Sequence, residues 1–161
     1  MQFLLQQSGR LAHTSTYSEM QSLVQLVYIS TIVGETFDKI ENFVSDAKAR
    51  NYLTGISGLI LISNTHYIHY IEGGRHAVSA KFLEMSRKTH HKDLVLVRFN
   101  EINKREFPEV LATYSNVNDF DDTEFNTLFT DKTLNPDEIT STKILTLLRR
   151  VALNHRAMDS V

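Results

Sequence analysis

Two strand-forming runs separated by three polar residues, GISGLILIS and HYIHYI around Ser-Asn-Thr at 63–65, constrain this chain more than any other feature. A polar break this short between two β-rich runs leaves an antiparallel hairpin as the economical solution. Side chains alternate along a strand, so Tyr67, His69 and Ile71 share one face and His66, Ile68 and Tyr70 the other. One histidine of this hairpin must therefore face a core.

Neighbouring segments extend the hairpin into a sheet. LVQLVYIS at 23–30 is dense in β-branched and aromatic residues and reads as a buried strand. Ile40, Phe43, Val44 and Ala47 then recur at helical spacing across 37–50, with Asp38, Glu41, Asp46 and Lys48 left for solvent. After the hairpin, Gly73 and Gly74 are expected to end the strand and open a second helix, on which Val78, Phe82 and Met85 repeat to about residue 88. DLVLVRFNEI at 93–102 and VLATYS at 110–115 supply two further strands. The order βαββαββ predicts an α+β, ferredoxin-like sheet carrying both helices on one face.

Beyond residue 115 the composition turns polar, and two C-terminal helices are predicted. Asp121 and Glu124 precede Phe125, Leu128 and Phe129; Asn135, Pro136 and Glu138 form a capping signal before the last helix. That helix aligns Ile144, Leu147, Leu148, Val151 and Ala152, a stripe expected to cover the free face of the sheet or to meet another chain. The chain thus divides into three parts: an N-terminal arm at 1–21, a sheet domain at 22–115 and a helical extension at 116–161.

Composition bears on the function class. Seventeen basic against nineteen acidic residues give a formal charge of -2, so no field exists to hold a nucleic-acid backbone. The absence of cysteine removes thiolate metal sites and a catalytic thiol, and the cytoplasm is the expected compartment. The first 21 residues lack the basic and apolar runs of a signal peptide or membrane span. No hydrolase is expected, because Ser57 lies in GISG and not in a GxSxG elbow. A metal centre is not expected either, since His66 and His69 face opposite ways and no HExxH spacing occurs.

From Leu23 to Tyr114 these segments resemble the BLUF domains, blue-light sensors that hold FAD between the two helices of a ferredoxin-like fold. LVQLVYIS is similar to the family's first strand, with its tyrosine at Tyr28. ARNYLTGISGLI resembles the segment in which an asparagine, here Asn51, precedes Gly55, Ile56, Ser57 and Gly58. YIHYIEGG resembles aromatic-x-Gln-x-Leu-Glu-Gly, with Tyr67, Ile71, Glu72 and Gly73 in place, and REFPE at 105–109 resembles an Arg-x-Phe-Pro motif.

The resemblance implies FAD as cofactor and Tyr28, Phe43, Asn51, Tyr67, His69, Ile71 and His90 as residues around it. Departures fall on the chemistry. The glutamine that relays between tyrosine and flavin is His69, an arginine expected near the flavin is His90, and a second asparagine is Arg50. The tryptophan and methionine of the last strand are Val110 and Ala112. An amide carries donor and acceptor on one rotatable group, whereas neutral imidazole carries them across a rigid ring, and protonation near pH 6.5 deletes the acceptor. The implied function is a BLUF-like sensory protein with an altered photocycle, signalling through a protein partner and forming a homo-oligomer through its C-terminal helices. The alternative is a flavin-free interaction or scaffold protein with Phe43, Tyr67 and His69 filling the pocket. Without the resemblance, Tyr28 and His69 read as packed core residues, Asn51 as a helix C-cap and His90-His91 as a solvated loop.

Overall fold

The computed structural model describes residues 22–34, 42, 45–46, 49–51, 53–63, 65–108, 110–111, 129–130 and 133–158. Strands β1 (Leu23–Ile32), β2 (Ser57–Ile62), β3 (His66–Gly74), β4 (His91–Glu101) and β5 (Val110–Leu111) form one sheet in the order β4-β1-β3-β2-β5. All neighbours are antiparallel except β2 and β5. Helix α1 (Arg75–Ser86) joins β3 to β4, and residues 42, 45–46, 49–51 and 53 are helical in the connection from β1 to β2. This is the expected ferredoxin-like α+β arrangement.

Pairing obeys the pattern that predicted it. β2 and β3 form the hairpin, closed by Ser63, whose N–H donates to His66 O at 2.9 Å while its Oγ accepts from His66 N at 2.8 Å. Gly58 sits at φ +152°, and a Cβ there would lie 2.0 Å from Tyr70 O, so only glycine lets the two strands approach. β3 continues to Gly74 instead of ending before Gly73. The glycine that reads as a breaker is a close-packing residue: a Cβ on Gly73 would lie 3.0 Å from Gly55 O.

Both faces of the sheet are covered, which is why every residue of β2 and β3 is buried. One core joins Val24, Leu26, Tyr28, Ile56 and Ile71 to Val78 and Met85 of α1. The other joins Val27, Ile29, Leu59, Leu61, Ile68 and Tyr70 to Ile144, Leu145, Leu147, Leu148, Val151 and Ala152 of α2 (Ser141–Met158). The C-terminal stripe thus covers its own sheet, leaving Lys143, Thr146, Arg149, Arg150 and Leu153 facing outward.

The extension departs from the two-helix expectation. Phe129–Thr130 (β6) pairs with Thr133–Leu134 (β7), so Phe129 is in a strand. Residues 116–128, including Asp121, Glu124, Phe125 and Leu128, lie outside the described residues, as do the N-terminal arm, Phe43 and Ala112. Asn135 caps a 3-10 turn at Pro136–Glu138 through Asp137 N, and α2 begins later, at Ser141. Thr140 serves its N-terminus, with Oγ1 accepting from Lys143 N at 3.3 Å and its carbonyl accepting from Ile144 N at 3.1 Å. Among the described residues no helix is long and apolar enough to cross a membrane.

Candidate functional site

Antiparallel register brings the first two candidate residues together. Tyr28 of β1 lies directly opposite His69 of β3, on the face covered by α1. Cross-strand partners on one face stand close enough to touch. Here the rings lie flat on each other, centroids 4.5 Å apart and planes inclined by 4°. Phe82 of α1 meets Tyr28 edge-on at 5.3 Å.

A third ring completes the row. His91, the first residue of β4, is buried and meets His69 edge-on at 5.3 Å and Tyr67 at 4.9 Å. Its Nδ1 is 2.8 Å from Ser30 Oγ, which fixes the ring on β1. His90, half-buried, packs against His91 at 4.6 Å. Of the loop expected at 90–91, His90 does lie in a turn, whereas His91 starts a strand with an inward imidazole. Among the described residues no group of three or more His, Asp or Glu side chains has the arrangement to hold a metal ion.

Burial sets the protonation of this row. Desolvation, then His91, Lys81 and His90, hold the His69 imidazole well below the usual histidine range. Desolvation, then His90, Lys88 and Lys81, push His91 down to about 3. Both rings are neutral at physiological pH, which corrects the expectation that His69 loses its acceptor near pH 6.5. Burial, with Glu84 second, raises the Tyr28 phenol, so it keeps its proton. His69 Nε2 is buried with no hydrogen-bond partner among the described residues.

A cleft of about 310 Å³ opens between the helical residues 50, 51 and 53 with the turn that follows them and α1. Arg50, Asn51, Leu53, Thr54 and Ile56 line one side, and Ala77, Ala80, Lys81 and Glu84 the other. Asn51 is 7% exposed, and its Oδ1 is buried with no partner among the described residues. Its carbonyl closes the turn into β2 by accepting from Ile56 N at 2.9 Å.

The candidates are therefore divided. Tyr28, Tyr67 and His69 form one packed group together with His91 and, at its edge, His90. Asn51 lines the cleft, whereas Tyr28 and His69 do not; Tyr28 shares a core with Ile56, which lines the cleft, and with Ile71. Phe43 lies outside the described residues. Sequence reasoning missed His91, Lys81 and Glu84. Ala77, Ala80, Lys81 and Glu84 stand at i, i+3, i+4 and i+7, a spacing that puts them on one helix face and is the signal that could have found them.

Glu72 is a structural hub on the opposite face. Fully buried, it accepts from Phe107 N at 2.7 Å, Glu106 N at 2.9 Å, Tyr70 Oη at 2.9 Å and Ser57 Oγ at 3.2 Å. Its backbone-donor partners, Glu106 N and Phe107 N, come from the loop before β5.

Comparison with known proteins agrees with this fold. No curated protein matches the chain. Among solved structures, the dark state of BlrB, a BLUF protein, is 26% identical, with a TM-score of 0.58 over 62% of this chain and 76% of that one. The ground state of BlsA is 20% identical, with a TM-score of 0.67 over 79% of this chain and 85% of its own. A bacterial light-regulated adenylyl cyclase is 19% identical, with a TM-score of 0.60 over 86% of this chain but 36% of the cyclase. The family described as sensors of blue-light using FAD matches residues 23–112, more than half of the sequence, and the chain belongs to that family, the BLUF domains.

Proposed function

We propose that this chain is a flavin-binding regulatory protein of the cytoplasm whose photocycle differs from that of a glutamine-bearing BLUF domain, with residues 22–115 as sensor and 116–161 as the extension that meets a protein partner. The observation that carries the reading is the flat stack of Tyr28 on His69.

The residues beside the cleft suit an isoalloxazine. Leu53, Ile56, Ala77 and Ala80 offer apolar walls, and the volume lies at the lower end of ligand sites, roughly 300–1,000 Å³. A flavin's pyrimidine edge presents one N–H between two carbonyls, and the unpartnered Asn51 Oδ1 is an acceptor of the matching kind. Arg50 and Lys81 add donors for carbonyl or phosphate oxygen. A bound flavin supplies blue-light absorption and an electron-accepting excited state.

The chain's own groups determine the response to that excited state. Tyr28 holds a protonated phenol out of water. In a parallel stack the imidazole N–H and lone pair point outward in the plane of the ring, so His69 meets the phenol ring with its face and not with a donor or acceptor. With the ring held by Tyr28 on one side and His91 at its edge, donor and acceptor exchange by moving the proton between the two ring nitrogens and not by rotation. Tyr67, packed against His91, closes the same pocket. The relay an amide provides by rotation is thus replaced by a fixed ring. This arrangement implies no catalytic role; the output passes through contacts with another protein or a second copy, made by the outward side of α2.

A second reading keeps the fold without cofactor, as a constitutive interaction protein. It is favoured by one observation: Tyr28, Tyr67, His69 and His91 are all buried and packed in one continuous row of rings. Absorption of the purified protein, from the near-ultraviolet to the blue and before and after illumination, separates the two. We expect a bound-flavin spectrum without the family's red shift, and recovery of that shift in His69→Gln. A normal red shift in the wild type overturns the altered photocycle; a colourless protein that takes up no added FAD overturns flavin binding.

A further inference from the structure

The turn that carries Asn51 is fastened from the far side of the sheet. Gly55, at φ +66°, ends that turn, and its carbonyl accepts from Arg105 Nη2 at 2.5 Å. Arg105 Nη1 donates to Ser57 Oγ at 2.7 Å and to Glu72 O at 2.9 Å. One guanidinium thus holds the end of the turn, the start of β2 and the end of β3. A rigid fork with several donors is suited to this, and a lysine ammonium is not.

Arg105 is itself held in place. The next two backbone N–H groups, of Glu106 and Phe107, both donate to the buried Glu72 carboxylate, so the 105–107 loop cannot slide without stranding that carboxylate. The Glu106 side chain then forms an ion pair with Arg149 of α2. Phe107 inserts into the core beneath α2 and meets Tyr70 edge-on at 4.9 Å. The loop therefore reaches the Asn51 turn through Arg105 and the helix on the other face through Glu106.

We infer that Arg105 is a positioning residue for Asn51, and that the Arg105–Glu72–Glu106 bracket couples the Asn51 turn to helix α2 through Arg149. The effect on ligand rests on the proposed flavin binding; the coupling itself does not.

Full-length Arg105→Lys, Arg149→Met and the double variant test it, with hydrogen exchange at the Ile56 amide, which donates to Asn51 O, as the first readout. FAD titration monitored by flavin fluorescence is the second. Arg149 is exposed and does not line the cleft, so a structural effect on α2 alone would leave Ile56 unchanged. We expect each single variant to speed Ile56 exchange and weaken FAD binding by about fivefold, with the double variant well short of the product, and with Val27 and Ile29 exchange unmoved. Arg149→Lys restores the wild-type values. Unchanged Ile56 exchange in Arg149→Met overturns the coupling, whatever FAD does. If Ile56 responds while the wild type takes up no FAD, the coupling stands and the flavin reading fails.

Discussion

His69 is held from three sides, by Tyr28 on its face and by His91 and Tyr67 near its edges, and this confinement gives it a measurable titration signature. Its folded pKa, and that of His91, lie below the unfolded value of about 6.5. As pH falls below about 6.5 the unfolded chain takes up protons that the folded chain refuses, so stability falls; above that pH neither histidine changes it. The expected slope is about 1.4 kcal/mol per pH unit for each buried ring, or about 2.7 for the two together. His66, also lowered by burial and partly offset by Asp93, adds a smaller share. Urea midpoints between pH 7.5 and 5.5 check this, with His91→Asn expected to remove roughly half of the slope. At this scale the alternation of β3 placed Tyr67 and His69 on one face correctly. His91 was not readable, because pairing of β4 with β1 shifts register between Val27 and Tyr28 and again between Ile29 and Thr31. Each shift breaks the two-residue period on which the facing of a side chain is judged.

Elements were legible where one periodicity ran unbroken, and ambiguous where a short polar motif has two uses. β1, β2 and β4 and the apolar side of α1 are readable from pattern alone, since Val78 and Met85 are buried with Phe82 beside them. Asn135-Pro136-Asp137-Glu138 satisfies the rules for a helix start, yet the structure spends it on a single 3-10 turn. The reason is that Ile139 returns to extended backbone, and the helix must be capped again. Thr140 does this with a side-chain acceptor on Lys143 N. Thr140→Ala is accordingly expected to cost about 1 kcal/mol, the usual value of an N-cap, and Asn135→Ala clearly less. Chemical denaturation of both variants decides; a larger loss at Asn135 would mean that the early turn, and not Thr140, nucleates the helix.

Across the whole molecule the sheet is a middle layer, in keeping with an expectation drawn from one uncovered strand face and one unpartnered helix stripe. What pattern could not choose was whether α2 covers its own sheet or a neighbour's, because an apolar stripe is indifferent to the chain that supplies its complement. The structure resolves this within one chain: Leu148 is fully buried among residues of its own sheet, while Leu153, just over one turn on and facing outward, is 64% exposed. Leu148→Ala should cost about 2–5 kcal/mol, as for a core truncation, whereas Leu153→Ala should stay within about 0.5 kcal/mol. The unfolding midpoint supplies the discriminating measurement. A stripe buried within the chain gives a loss at Leu148 that is the same at low and high protein concentration, while a stripe buried against a second copy makes both the wild-type midpoint and the loss rise and fall with concentration. The first outcome leaves the outer side of α2, with Lys143, Thr146, Arg149, Arg150 and Leu153, open to solvent, and it puts Arg149 at once on that surface and at the end of the bracket that holds the Asn51 turn.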